Sequence, residues 1–159
     1  MREYRISKYD PAYRIDGVYQ RDEWTSIADV GLQFDGQLLS MEDYLAVEQT
    51  YIRFLSMLAD KLHAFPLRVS NLESNTKYLW KEGQKIGRDA FPLIVADCLR
   101  ENCWCQLLAK EFFIHFGYEY YAYVGCDLSL DEIKNTASEF GLFVEERTSP
   151  YMCRGDNPI

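Results

Sequence analysis

Histidine and cysteine are the residue types best suited to acid–base, nucleophilic or metal chemistry, and this sequence has two histidines and five cysteines. His63 lies near the end of a predicted helix, and His115 lies within an aromatic run. Neither histidine has a local nucleophile signature beside it. The sequence therefore favours a structural or surface role for both over a catalytic one.

Three of the cysteines follow the pattern C-x-x-x-x-C-x-C, at Cys98, Cys103 and Cys105. Structural zinc usually takes four Cys or His ligands in paired spacings, and no second pair accompanies these three. On a strand, Cys103 and Cys105 would share one face, which is typical of small core residues. The odd total, completed by Cys126 and Cys153, indicates reduced thiols. We therefore expect core cysteines, no metal and no other cofactor.

Portable nucleotide-binding and hydrolase motifs are absent from the sequence. The segment 83–88 superficially resembles a phosphate-binding loop, but its glycines have the wrong spacing. Carboxylate pairs such as Asp22–Glu23 and Asp131–Glu132 arise readily in an acidic chain, and glycosidase chemistry needs two carboxylates at a defined separation in a cleft. The motif survey thus disfavours an enzyme.

The charge balance bounds the class of partner. Among 159 residues, 25 are acidic and 17 basic, which gives a formal net charge of −8. Such a field repels nucleic acid and anionic membranes and attracts a basic partner, although acidic charge also serves solubility alone. The first residues contain no apolar stretch, and no apolar run is long enough to span a bilayer. These features favour a cytoplasmic protein.

Hydrophobic periodicity predicts three helices. The clearest runs from about Met41 to His63, with Ser40 as its N-cap and apolar residues at helical spacing. A second is predicted from Asp89 to about Arg100. A third starts after Ser129 and ends near the glycine at 141.

Alternating or β-rich segments predict the strands. They are residues 4–9, a short strand near 18–19, 65–72, 103–108, 112–116, 118–124 and 142–145. Residues 109–111, between two of these segments, also leave a helix possible there. Residues 10–31 and 73–88 are expected to be connections, and the tail after Pro150 is expected to be loosely held. The order predicts an α+β fold over residues 1–159, a single domain in which a mostly antiparallel sheet packs against about three helices.

Two aromatic and acidic stretches have the composition of contact surfaces. Residues 19–26 place Tyr, Arg and Trp24 in a predicted loop, and these residue types are enriched in interface hot spots. The predicted strand 118–124 is tyrosine-rich and is followed by an exit that ends at Asp127, and Tyr120 would lie on the opposite face from Tyr121. Alternatively, Trp24 anchors its loop on the core, the interpretation favoured for that residue, and the tyrosines pack against helices.

Four segments resemble small bacterial proteins of unassigned function: 4–11, 22–27, 116–125 and 141–145. Small acidic α+β proteins of this size resemble the immunity proteins encoded beside polymorphic or contact-dependent toxins. The resemblance implies tight binding to a toxin domain, often a basic nuclease, and occlusion of its active site.

We therefore expect a protein partner, bound through Asp22, Glu23, Trp24, Tyr120, Asp127, Asp131 and Glu132. One alternative is a small enzyme or ligand-binding domain with a pocket among the sheet aromatics, containing His115 or a cysteine beside a carboxylate. Another is a regulatory subunit for a different partner. The oligomeric state is not predicted.

Overall fold

Three α-helices pack on one antiparallel sheet of seven strands in the computed structural model, which describes residues 1–74 and 79–151. The helices are α1 (Met41–Lys61), α2 (Phe91–Leu99) and α3 (Leu130–Ser138). The strands are β1 (Arg2–Ser7), β2 (Arg14–Ile15), β3 (Val18–Tyr19), β4 (Gln33–Phe34), β5 (Gln37–Leu38), β6 (Leu67–Ser74), β7 (Lys85–Ile86), β8 (Cys103–Ala109), β9 (Phe112–Phe116), β10 (Ala122–Cys126) and β11 (Phe143–Glu146). The predicted α+β single domain is confirmed.

The large sheet has the order β11-β1-β10-β9-β8-β6-β7, and every neighbouring pair in it is antiparallel. Two further two-stranded hairpins, β2–β3 and β4–β5, stand apart from it. Both hairpins lie in the segment between β1 and α1. That segment therefore forms small ordered units beside the main sheet.

The longest helix, α1, starts where Ser40 accepts a hydrogen bond from the backbone N–H of Asp43 at 3.0 Å. Such a cap satisfies one of the free N–H groups of the first turn. One helix face is buried against the sheet, with the side chains Tyr44, Glu48, Tyr51, Ile52, Phe54, Leu55, Leu58 and Ala59. The helix ends at Lys61, before His63, whose φ of 51° is incompatible with a continuing helix.

The two faces of the sheet have different coverings. Tyr4, Ile114 and Val124 lie on the face that packs with the helices in the main apolar core. The alternate residues Arg5 and His115 lie on the opposite face, and both are also buried. Over that second face runs the segment 147–151, which hydrogen-bonds to β1, β8 and β9.

The tyrosine run after β9 differs from its predicted conformation. Residues 118–121 form a turn rather than the start of a strand, because Glu119 and Tyr120 have φ angles of 59° and 67°. The backbone N–H of Gly117 donates to the carbonyl of Tyr121 at 2.8 Å and closes the turn. The prediction that alternate tyrosines of this run lie on opposite strand faces is therefore wrong, and β10 begins only at Ala122.

Other boundaries agree more closely with the sequence. The predicted short strand near 18–19 and the strand interpretation of 112–116 are confirmed, whereas β7 was not predicted. Of the tail predicted to be loosely held, Tyr151 packs its ring against Trp104 and Tyr123, and residues 152–159 lie outside the described residues. In the two described ranges, no helix combines the length and apolar character needed to cross a bilayer.

Candidate functional site

An acidic cleft of about 450 Å³ lies between the β4–β5 hairpin, the segment that follows β3, and the start of α1. Its walls combine charged, amide and apolar side chains: Arg21, Asp22, Glu23, Trp24, Phe34, Asp35, Gln37, Leu38, Leu39 and Asp43. Three predicted site residues, at 22, 23 and 24, thus meet in one place. We call this feature the acidic cleft.

Four carboxylates and one guanidinium give the acidic cleft its charge. Asp22 accepts a hydrogen bond from the backbone N–H of Asp35 at 2.9 Å, which ties the loop to the β4–β5 turn. Arg21 lies 3.9 Å from the Asp35 carboxylate and stacks over the Tyr13 ring at 4.7 Å. Because Arg21 contacts residues beside both hairpins, it links them into one surface.

Trp24 lies beneath the acidic cleft and anchors its loop. The indole is 7% exposed and packs edge-on or tilted against Tyr44 and Tyr120, at 5.3 and 5.1 Å between ring centroids. The Lys8 ammonium lies 3.9 Å from the indole centroid and donates to the Trp24 carbonyl at 2.6 Å. The interpretation of Trp24 as a core anchor is confirmed, and its predicted role as an exposed contact residue is wrong because the ring is covered.

The pKa of Lys8 shows that the region around Trp24 is shielded from solvent. Burial lowers the pKa of Lys8 to about 8, and the nearby carboxylate of Glu23, 3.1 Å away, opposes that shift. Desolvation disfavours the charged ammonium, and the opposite charge favours it. Glu23 therefore already forms an ion pair with Lys8. Asp22, Asp35 and Asp43 are the carboxylates of the acidic cleft that are better placed to pair with a ligand.

Tyr120 belongs to a buried hydrogen-bond chain. It is 3% exposed, and its hydroxyl donates to the Tyr44 hydroxyl at 2.6 Å, which in turn donates to Glu48 at 3.0 Å. Glu48 also accepts two hydrogen bonds from the Arg100 guanidinium, both at 2.7 Å. Burial raises the pKa of Tyr120 and raises that of Tyr44 to about 12. The prediction of Tyr120 as a surface contact is wrong, since the turn at 118–121 points its ring into the core.

Exposed apolar side chains concentrate in the part of the chain that forms the acidic cleft, and one of them, Leu38, lines it. Of the eleven large apolar residues that are exposed in the described ranges, seven lie between residues 13 and 45: Tyr13, Ile15, Val18, Leu32, Leu38, Met41 and Leu45. The same segment carries seven acidic residues and two arginines, a formal charge of −5. We call this segment the 13–45 surface. Exposed apolar patches rimmed by polar residues are typical of interaction sites, so this segment is the candidate for one.

The remaining predicted site residues lie elsewhere. Asp127 follows β10 and pairs with the N-terminal amine at 3.1 Å, whereas Tyr120 precedes that strand. The five residues of β10 span about 17 Å, so Asp127 and Tyr120 lie at opposite ends of that strand. Asp131 is exposed in the first turn of α3, and Glu132 closes a capping box with Ser129. Hydrogen bonds from the Ser129 backbone and hydroxyl lower the pKa of Glu132.

His115 is sealed in the second sheet face. Its ring is fully buried, stacks on Phe113 at 4.2 Å, and Nδ1 lies 2.8 Å from the hydroxyl of the buried Ser149. Nε2 is buried without a hydrogen-bond partner, and burial lowers the pKa of His115 to about 4. The structural interpretation of this histidine is supported, since the ring has no access to solvent.

The predicted core thiols are found in the core. Cys98, Cys103, Cys105 and Cys126 are free and buried, and Cys153 lies outside the described residues. Cys98 and Cys103 also line a second cleft of about 300 Å³, together with Glu73 and Glu101. Across residues 1–74 and 79–151, no group of three or more His, Cys, Asp or Glu side chains is arranged to hold a metal ion.

Sequence reasoning missed the β4–β5 contribution to the acidic cleft. Composition and motif spacing do not single out Asp35, Leu38 and Asp43, although Asp35–Gly36 between short polar–apolar segments is a hairpin signal. No family model matches the chain, and comparisons with curated proteins and with solved structures likewise gave no match.

Proposed function

We propose that this chain is an immunity-type protein of the cytoplasm, which binds a basic toxin domain through the 13–45 surface and neutralises it by covering its active site. The observation that carries the proposal is the coincidence of seven exposed apolar side chains with a formal charge of −5 in this one segment. Apolar area supplies affinity once water is expelled, and the carboxylates supply attraction and orientation.

The 13–45 surface is held in place before a partner arrives. Both hairpins have Asp-Gly turns, at 16–17 and 35–36, with positive φ at each turn residue. Ser26 and Asp29 form a capping box between the hairpins, and Trp24 anchors the intervening chain. A surface that is ordered in advance loses less conformational entropy on binding.

The carboxylates of the acidic cleft suit the cationic groups with which a nuclease holds phosphate. Arg and Lys side chains neutralise phosphate charge in nucleic-acid-binding proteins and are among their main phosphate-contacting groups. Asp22, Asp35 and Asp43 would pair with those groups and exclude the substrate. Long-range attraction between the acidic chain and a basic partner would also accelerate association at low salt.

The partner is sought by affinity capture from the native cells with mass spectrometry. We expect to capture one basic domain in a one-to-one complex. The toxic activity of that domain should be lost when it is bound. Capture of a partner that has no toxic activity would contradict the immunity function and favour the alternative, a regulatory subunit.

Charge reversal then locates the surface. Asp22→Lys with Asp43→Lys changes two carboxylates of the acidic cleft, and Asp127→Lys with Asp131→Lys makes the same charge change at the far end of β10. We expect the first pair to slow association at least roughly tenfold and to weaken its salt dependence, with the second pair much nearer wild type. Equal effects of the two pairs would show that the 13–45 surface is not the binding site.

A further inference from the structure

Three cysteine sulfurs meet where α2 gives way to β8. Cys98 Sγ lies 3.7 Å from Cys103 Sγ and 3.6 Å from Cys105 Sγ. The contact is built locally, because a tight turn returns the chain onto the helix end, with Glu101 at a φ of 61°. Strand periodicity then places Cys103 and Cys105 on the same face, towards Cys98.

Two of the three thiols border an opening to solvent. Cys98 and Cys103 line the second cleft, of about 300 Å³, whereas Cys105 is fully buried beneath them. Each of the two is 4% exposed, so a small reagent that enters the cleft meets sulfur, and a large one does not. Trp104 and Tyr118 complete the apolar part of the wall.

Hydrogen bonding within the cluster favours Cys103 as the ionised thiol. The neighbouring thiols of Cys105 and Cys98 lower the pKa of Cys103, against the opposing effects of burial and of Asp97. Of the two, Cys98 Sγ lies within hydrogen-bonding distance of Cys103 Sγ. The same contacts raise the pKa of Cys98. A thiolate is the nucleophilic form of cysteine, and neighbouring thiols that donate to it stabilise that form.

We propose that Cys103 and Cys98 form a peroxide-reactive dithiol site that closes to a disulfide. The Cys103 thiolate attacks one oxygen of hydrogen peroxide, breaks the O–O bond and becomes a sulfenic acid, and the released hydroxide takes up a proton to give water. Cys98 Sγ then attacks the sulfenic sulfur and the S–O bond breaks. The second oxygen leaves as hydroxide, which takes the Cys98 proton to give water. The two thiols lose two electrons, and peroxide is reduced to two waters.

Geometry selects Cys98 as the resolving thiol. Its sulfur needs to approach that of Cys103 from 3.7 Å to the disulfide bond length of about 2.05 Å. Cys103 and Cys105 are two residues apart on one strand, which places their Cα atoms about 6.8 Å apart, at the limit for a disulfide. Cys98 and Cys105 are close, but the latter does not border the cleft. The site is independent of the toxin partner.

The test uses the reduced, folded full chain, treated with stoichiometric hydrogen peroxide, blocked with N-ethylmaleimide and mapped by peptide mass spectrometry. We expect a dithiothreitol-reversible link between the peptides of Cys98 and Cys103. Cys126, which is buried on β10, is the internal reference, and Cys103 should be oxidised at least roughly tenfold faster. A link between any other two cysteines, including Cys153, or equal rates at 103 and 126, would overturn the assignment.

Three variants separate the steps. Cys103→Ser should abolish the fast reaction, and Cys98→Ser should leave a sulfenic acid at Cys103 that dimedone traps. Cys126→Ser should react like the wild type. Trapping of sulfenic acid at Cys98 in the Cys103→Ser variant at the wild-type rate would reverse the roles and refute the proposal. The wild-type map stands by itself if a serine variant does not fold.

Discussion

Burial of His115 should lower the free energy of unfolding in mild acid. The ring is fully buried on the sheet face that the segment 147–151 covers, with Ser149 as its hydrogen-bond partner and Nε2 without one. Its register neighbours on β8 and β10 are Gln106 and Tyr123, so no carboxylate lies directly beside it in the sheet. Burial alone therefore lowers the pKa of His115, from 6.5 to about 4.

The sign follows from proton uptake in the two states. Below pH 6.5 this histidine is protonated in the unfolded chain, whereas in the folded chain it stays neutral down to about pH 4. The free energy of unfolding therefore falls as the pH drops from 6.5 towards 4, and this contribution is constant above 6.5. The full shift is worth about 3 kcal/mol, and about 2 kcal/mol of it is lost by pH 5.

The measurement is urea unfolding of wild type and His115→Phe at pH 7 and at pH 5. Phenylalanine keeps the stacking on Phe113 and removes the titrating group, so any cost of losing the hydrogen bond to the Ser149 hydroxyl is the same at both pH values. We expect the wild type to lose about 2 kcal/mol more than the variant between these pH values, because effects of the carboxylates cancel in the comparison. His63→Asn, at a positive φ that asparagine tolerates, is the control and should behave like the wild type. An equal loss in wild type and His115→Phe would refute the argument from burial.

Two further predictions concern the core. Glu48→Ala should lower the free energy of unfolding, measured in urea, by about 3 kcal/mol. The Glu48 carboxylate is 1% exposed, and its removal takes away the ion-pair partner of Arg100, whose side chain keeps 34% exposure to water. The double variant with Arg100→Ala should cost clearly less than the sum of the single variants, and additive costs would contradict the coupling. Gly125→Ala should cost about 1–3 kcal/mol or more, because its Cβ would lie 2.0 Å from the Phe113 ring. Gly87→Ala, which meets nothing within 4 Å, should change stability by less than about 0.5 kcal/mol, and equal costs at the two glycines would exclude the clash as the cause.

Elements with strong local signals were predictable from the sequence. The α1 helix has a Ser N-cap and a buried stripe at helical spacing, and both its start at Met41 and its end within two residues agree with the structure. The α3 helix likewise begins at a capping box on Ser129. In both cases the hydrogen bonds that fix the element join residues three or four positions apart, so the sequence window contains the cause.

Burial of the aromatic candidates was not predictable from local pattern. Tyr120 is held by hydrogen bonds to Tyr44 and from Tyr51, 76 and 69 residues away along the chain. Its φ of 67° belongs to the left-handed region, which tyrosine rarely adopts without tertiary support. Composition alone describes hot spots and core anchors in the same terms, because Trp and Tyr serve both.

The burial of those rings changes what kind of interface this chain can offer. With Trp24 and Tyr120 in the core, the exposed apolar side chains of the 13–45 surface are aliphatic apart from Met41 and Tyr13, and Leu38, at 59% exposure, lies beside the carboxylates of the acidic cleft. Hot spots in protein interfaces are enriched in Trp, Tyr and Arg, and they insert into well-packed pockets on the other side. On the proposed function, the partner therefore supplies the inserting cationic side chain, and the acidic cleft of about 450 Å³ receives it. The rigid aromatic layer beneath matters because a receiving cleft discriminates only if its walls do not collapse when empty.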